Sequence, residues 1–439
     1  MKNTCSSFLF CKNLGEGNDM SKKIISLMTV FTVALSLLTG CGGSATSTNT
    51  STEATQTEEA PAATEETNAA ETAQKSSSVD ASGIKVGVIY VGDENEGYTA
   101  AHMAGIDEMM AAFGLSEDQV IEKTNIAEDE SCYDAAADLA DSGCNIIFAT
   151  SFGHEDYLMR VAQEYPEVQC CHATGFKAAS SGLSNMHNYF DSIYEARYVS
   201  GVVAGMKLKE MIDNGTITAG EAKLGYVGAY PYAEVISGFT AFYLGAKSIV
   251  DEATMEVSYT NSWADPSLEG ETATALIADG CKLISQHADT TGAPSVCETA
   301  GVPIVGYNVD MTTVAPNVAL TSPTNDWGVY YTYAVDCVLN GKPIETDWCQ
   351  GYAEDSVAIT PLGKACAAGT QEKVDEVIAA IKDGSLHIFD TSKFTVEGKP
   401  VESFKNDAGQ EFVSNGYFHE SEYGSAPAFS MIVDGITVK

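Results

Sequence analysis

Ile84-Lys85-Val86-Gly87-Val88-Ile89-Tyr90-Val91-Gly92 alternates β-branched residues and stops at a glycine, which reads as a short buried strand. Asp93-Glu94-Asn95-Glu96-Gly97-Tyr98 follows as a polar, glycine-bounded turn that ends on an aromatic. Met103, Ile106, Met110 and Phe113 then recur at spacings of three and four, the pattern of an amphipathic helix. Strand, loop and helix make the first unit of a parallel α/β sheet. Such sheets bind ligands at the carboxyl ends of their strands, so Tyr98 is expected beside a cleft.

Working outward, strand and helix signals keep alternating. Asn145 to Thr150 and Val168 to His172 read as strands, and a long helical pattern from about Ile193 to Ile212 ends at Asn214-Gly215. Lys223-Leu224-Gly225-Tyr226-Val227-Gly228 then echoes the first strand and opens a second series. That series continues through a helix near Val235–Lys247, a strand near Met255–Tyr259, and a helix with Asp265 as cap and Pro266 as first residue. Lys282 to Gln286 and Val302 to Gly306 are further strands. Two α/β series of similar size predict two Rossmann-like lobes with parallel sheets joined by a hinge. From about Leu386 short Thr-, Val- and Gly-punctuated runs predict a β-rich extension of hairpins on the second lobe.

The chain has 439 residues, 44% of them apolar, enough for two cored domains. Its amino-terminal part reads as targeting. Met20-Ser21-Lys22-Lys23 is a charged n-region, Ile24 to Leu38 an apolar h-region too short for a membrane span, and Leu38-Thr39-Gly40-Cys41 closes it. The box resembles the bacterial lipobox, which implies lipidation of Cys41 as the mature amino terminus. Residues 1–40 are therefore expected to be a signal peptide whose true start is Met20. Residues 41–82, rich in Ser, Thr, Ala and Glu, lack the apolar content to fold and are expected to act as a tether.

The formal charge of −38, from 23 basic and 61 acidic residues, argues against nucleic acid as a partner. Of twelve cysteines, nine follow Cys41 and none forms a Cys-x-x-Cys pair, so neither zinc nor a thioredoxin-like site is indicated. Most are expected to be small buried hydrophobes.

The residues just past each expected strand face the cleft. They include Tyr98, Phe152, His172, Tyr230 with Glu234, Asn261, Trp263, His287, Asp289, Asn308, Asp310 and Trp327. Flat aromatics there can stack on a planar ring, and carboxylates can accept hydrogen bonds from exocyclic amines or ribose hydroxyls. Enzyme signatures are weak: there is no Gly-x-Ser-x-Gly elbow, no Walker A loop and no His-Glu-x-x-His pair. No catalytic residue, cofactor or metal is expected.

The segments Thr150-Ser151-Phe152-Gly153, His172-Ala173-Thr174-Gly175, Asn261 to Pro266, Gln286-His287-Ala288-Asp289 and Gly306 to Met311 resemble, in order, the basic membrane protein family. These are substrate-binding lipoproteins of ABC transporters. The resemblance implies a type I periplasmic-binding-protein fold, an ABC permease as partner and, commonly, a purine or nucleoside ligand. It implies lobe 1 over 83–220 with a return at about 318–342, lobe 2 over 221–317 with about 343–385, and an extension over 386–439. Here the first turn is more acidic than the family's, with Tyr98 where tryptophan is frequent.

The expected protein is a monomer, lipid-anchored on the extracytoplasmic face, that captures a nucleobase or nucleoside without turnover. Tyr98, Phe152, Tyr230 and Trp263 are the expected aromatic contacts, and Asn261, His287, Asp289, Asn308 and Asp310 the polar ones. Trp327 is the tenth candidate, with a hinge-adjacent core position as its other reading. A sugar transporter component or a ligand sensor of the same fold are the alternatives.

Overall fold

A strand buried on both faces must be apolar throughout, and Val86–Ile89 is buried at every position. It is β1 of a computed structural model that describes residues 80–439. The signal peptide, Cys41 and the tether lie outside the described residues.

The first series runs β1, α1 (Gly97–Phe113), β2 (Val120–Lys123), α2 (Glu130–Asp141), β3 (Ile146–Ala149), α3 (Glu155–Glu164), β4 (Gln169–Ala173), α4 (Ala178–Ser181) and β5 (Met186–Asp191). After α5 (Ile193–Asp213) come β6 (Lys223–Gly228), α6 (Ala233–Lys247), β7 (Thr254–Tyr259), α7 (Pro266–Ala278), β8 (Leu283–Gln286), α8 (Gly292–Ala300) and β9 (Ile304–Val305). The chain then forms β10 (Pro323–Asn325), α9 (Trp327–Asn340), β11 (Asp347–Gln350), β12 (Val357–Ile359) and α10 (Thr370–Lys382). Three short strands close it: β13 (Val413–Ser414), β14 (Tyr417–Phe418) and β15 (Ile436–Val438).

Two parallel sheets result, ordered β11-β5-β4-β3-β1-β2 and β15-β7-β6-β8-β9. The chain passes between them three times, through β5–α5, through β10 and through β12. β10 and β12 pair antiparallel, Pro323 opposite Ile359, and make a two-stranded ribbon at the crossing. β11 pairs with β5, so the return to the first sheet runs to Gln350, past the boundary expected near residue 342. Helix α5, drawn within 83–220 from sequence, packs on α6 of the second lobe.

That helix pair is unusually close because glycines face backbone. A Cβ on Gly201 would sit 2.0 Å from the Phe242 carbonyl oxygen, and one on Gly245 2.1 Å from that of Tyr198. Helix α9 packs on α1 and carries Trp327, fully buried, with its ring stacked 4.2 Å from that of His102.

The tail from 386 contains one hairpin, β13–β14, whose Asn415-Gly416 turn has φ of 53° and 88°, the pattern of a type I′ turn. Its last strand, β15, adds a parallel edge to the second sheet. All nine cysteines of the described residues are free, seven of them buried, and burial pushes thiols such as Cys170 and Cys171 upward.

Candidate ligand-binding site

A cavity of about 280 Å³ opens where the carboxyl ends of both sheets face each other. The β1–α1 loop gives it Glu96 and Tyr98, the turn after β3 gives Phe152, and the residue after β4 gives Thr174. From the other side come Tyr230 and Glu234 after β6, Trp263 after β7, His287 and Asp289 after β8, and Tyr307 after β9. Every contributing loop follows a parallel strand, where helix starts and strand ends leave polar groups free for ligands. Two wider hollows of about 430 and 650 Å³ lie away from these strand ends on the second lobe.

The walls are aromatic. Tyr232 lies 5.4 Å from Phe152 across the mouth and 5.3 Å from Tyr230, and Trp263 meets Tyr230 edge-on at 5.1 Å. Phe152 and Tyr232 are exposed at the rim, 39% and 42% respectively, which leaves ring surface free for a ligand. Tyr98 is held in place instead: its hydroxyl donates to the Thr150 carbonyl at 2.8 Å. Thr174 has φ of 67°, a conformation that costs a β-branched residue energy and that clusters at binding sites.

The floor is acidic. Glu96 caps α1 by accepting the N–H groups of Tyr98 (2.7 Å) and Thr99 (2.9 Å), which fixes the loop. The neighbouring Gly97 N–H reaches across to the Asp289 carbonyl at 3.0 Å, one backbone bond between the two series. Asp289 accepts from Asn308 Nδ2 at 2.8 Å. Burial pushes the carboxyls of Asp289 and Glu96 up, and for Asp289 the nearby Glu96, Glu269 and Glu234 push further, opposed by Arg197.

Arg197 is fully buried behind the cavity, stacked 3.6 Å over Tyr307 and donating to the Gln286 carbonyl at 2.7 Å. Among the described residues no lysine or arginine lines the cavity itself. Burial holds the His287 imidazole down to about 4, so it is neutral. Its Nε2 then donates to Glu234 at 2.9 Å and its Nδ1 accepts from Tyr226 at 3.3 Å.

Six of the ten residues expected from sequence therefore line the cavity: Tyr98, Phe152, Tyr230, Trp263, His287 and Asp289. The other four do not. Asn308 stands behind Asp289 as its hydrogen-bond donor. Asp310 turns away to cap the single turn at Met311–Thr313, accepting from Thr312 N–H at 2.8 Å. Asn261 holds the turn after β7 with φ of 55°. Trp327 starts α9 and fills the core against His102. Sequence reasoning passed over Glu96, Thr174 and Tyr307; the strand-end rule that selected Asn308 could have selected its neighbour Tyr307.

Residues 84–387 match the family model described as ABC transporter substrate-binding protein, PnrA-like, also named Bmp. The chain belongs to this family. A purine-binding protein of Brucella abortus (strain 2308) is 34% identical over 307 residues, 70% of this chain and 83% of that protein. A putative ABC transporter glucose-binding protein of Haloferax volcanii is also 34% identical, over 56% of this chain and 59% of that protein. Among solved structures, a solute-binding protein of an ABC transporter system from Aeropyrum pernix K1 superposes with a TM-score of 0.59 at 16% identity. It covers 70% of this chain and 93% of that one. A solute-binding protein from Conexibacter woesei DSM 14684 gives 0.57 at 20% identity, covering 69% and 98%. These likenesses establish the α/β substrate-binding fold.

As a Bmp-family protein the chain is a substrate-binding component of an ABC transporter, a class that works outside the cytoplasm. Among the described residues no helix is long and apolar enough to cross a membrane.

Its buried acids make stability depend on pH. Burial raises Glu195, Glu269 and Glu420 to about 7 from 4.5, so the folded state holds their protons more tightly than the unfolded chain. That contribution is complete below 4.5 and is lost as pH rises through about 7. The lowered histidines work oppositely: His187 and His287, down to about 4, stabilise above 6.5 and cost stability as pH falls below it. Between pH ~4.5 and ~6.5 the two sets oppose each other, and from ~6.5 to ~7 only the carboxyls still lose protons, so thermal midpoints are expected to fall over that last interval and to level off above it. A midpoint that climbs steadily from pH ~6 to ~8 contradicts this balance.

Proposed function

We propose that the protein captures a purine nucleobase or nucleoside between its two lobes and delivers it to an ABC permease, with closure about the hinge as the binding motion. The observation that carries this reading is the lining: aromatic walls at Phe152, Tyr230 and Trp263 over carboxylates at Glu96, Glu234 and Asp289. Stacking suits a planar heterocycle, and acidic acceptors suit ring amines and sugar hydroxyls. A volume of about 280 Å³ stands at the small end of the usual range for ligand sites. The relative described as purine-binding points the same way.

In this reading Asn308 supports Asp289, and the site binds without turnover. The protein acts as a monomer, held to the extracytoplasmic face of the membrane through lipidated Cys41. The Haloferax relative's description supports a second reading, a monosaccharide stacked on the same aromatic walls.

Protein purified without denaturation, then heat-denatured, should release a small molecule with a purine ultraviolet and mass spectrum. Release of a sugar alone would sink the purine reading. The acidic, cation-free lining also predicts discrimination against charge. A purine nucleoside monophosphate should bind at least ~100-fold more weakly than its nucleoside, since a buried anion beside carboxylates lacks a partner. Equal affinities in a competition assay contradict the electrostatic account.

A further inference from the structure

The segment 388–439 lies beyond the region that the family model matches. Its aromatic side chains join the main core, with Phe389 stacked 4.3 Å from Phe429 and Phe412 stacked 5.3 Å from Phe418, all four buried. Glu420, nearly buried, accepts the N–H groups of Ala428 (3.1 Å) and Phe429 (2.8 Å) and so closes the 420–429 segment on itself. A segment ordered in this way transmits force between the points where it is attached.

Its attachments lie on each lobe and at the crossing. On the first lobe the Asp347 carboxylate, at the start of edge strand β11, accepts the Ser425 N–H. Gly424 packs so closely there that a Cβ would stand 3.2 Å from the same carboxylate. At the crossing, Phe389 stacks 5.4 Å from Tyr194, in the first turn of α5 where the chain leaves β5. On the second lobe β15 pairs with edge strand β7, and Tyr243 of α6 donates to the Asp434 carbonyl at 3.3 Å. Lys439 adds ion pairs to Glu256 and Asp279, both 2.6 Å.

We propose that this tail is a strap across the hinge that restrains opening of the two lobes. A rigid-body opening leaves each lobe intact, so the strap must either detach at one end or hold the edges of the two sheets together. The two ends differ in kind. The second-lobe end is a β-ladder reinforced by ion pairs, whereas the first-lobe end is held by polar contacts, of Asp347 with Ser425 and of Cys349 with Ser421. Detachment is therefore expected at Asp347, and a strap attached there favours the closed arrangement even without ligand. The strap acts in the same way whichever ligand the cleft takes.

The test uses the ligand-free full chain and two variants, Asp347→Ala, which removes the acceptor, and Ser425→Pro, which removes the donor N–H. Amide hydrogen exchange over residues 92–99 reads lobe separation, because the Gly97 N–H is bonded across the cleft to Asp289. Exchange in β3 and β6 reports whether each lobe remains folded. Both variants should exchange at 92–99 about fivefold faster or more, with a larger radius of gyration in solution scattering and unchanged protection in β3 and β6. Wild-type exchange at 92–99 and wild-type scattering, in variants whose β3 and β6 stay protected, overturn the strap. So does faster exchange spread evenly over β3, β6 and the cleft, which marks general destabilisation.

Discussion

Replacing Asp289 by alanine is expected to weaken binding of the purine ligand by about 100-fold, the loss of a charge-assisted hydrogen bond in a water-poor site. Asp289 lines the cavity, takes its orientation from Asn308, and accepts through its own carbonyl the backbone bond from Gly97 that links the two strand-end loops. A ligand donor favours its ionised form, while burial and Glu96 favour the protonated form in the free protein. Binding therefore releases a proton, and affinity should fall as pH is lowered. Trp263→Ala should cost about tenfold to 100-fold through lost stacking. Asp310→Ala is the contrast: its carboxylate caps a turn outside the cavity, so titration calorimetry should return wild-type affinity. Loss of binding in Asp310→Ala with none in Asp289→Ala would reverse the assignment.

The second large effect is on stability. Gly201→Leu is expected to destabilise the protein by about 3–5 kcal/mol, because α5 and α6 cannot separate without opening the core between them. Even the first atom of a side chain would stand 2.0 Å from the Phe242 carbonyl oxygen, and backbone cannot give way as a flexible side chain can. Gly220→Ala, in an open position with nothing within 4 Å, is the control and should change stability little. A denaturant midpoint for Gly201→Leu equal to the wild type's would mean that α5 and α6 are not held at this distance in solution.

Much of the architecture was legible because parallel strands advertise themselves. Val86–Ile89 and Ile146–Ala149 are apolar at every position, and Asp265-Pro266 marks a helix start from local chemistry alone. Local signals did not reveal that α5 packs on α6 or that β11 rejoins the first sheet, since both depend on partners far along the chain. The site divides the same way. Strand-end aromatics and Asp289 followed from the topology of parallel sheets. Asp310 sits two residues past Asn308 in an equally favourable stretch, yet a single helical turn rotates its carboxylate onto Thr312 N–H. Trp327 starts a helix instead of ending a strand, and its neighbours in α1 draw it into the core. Glu96 was hidden because its capping role and its place on the cleft floor are one arrangement, visible only when both loops are assembled.

Calorimetric titration of ligand-free protein with purine nucleobases, purine nucleosides and monosaccharides decides whether a purine binds between the lobes. At least one purine should titrate to one site per chain, with an affinity about 100-fold weaker in Asp289→Ala. A monosaccharide that titrates to one site while every purine gives no heat would keep the fold and contradict the assignment.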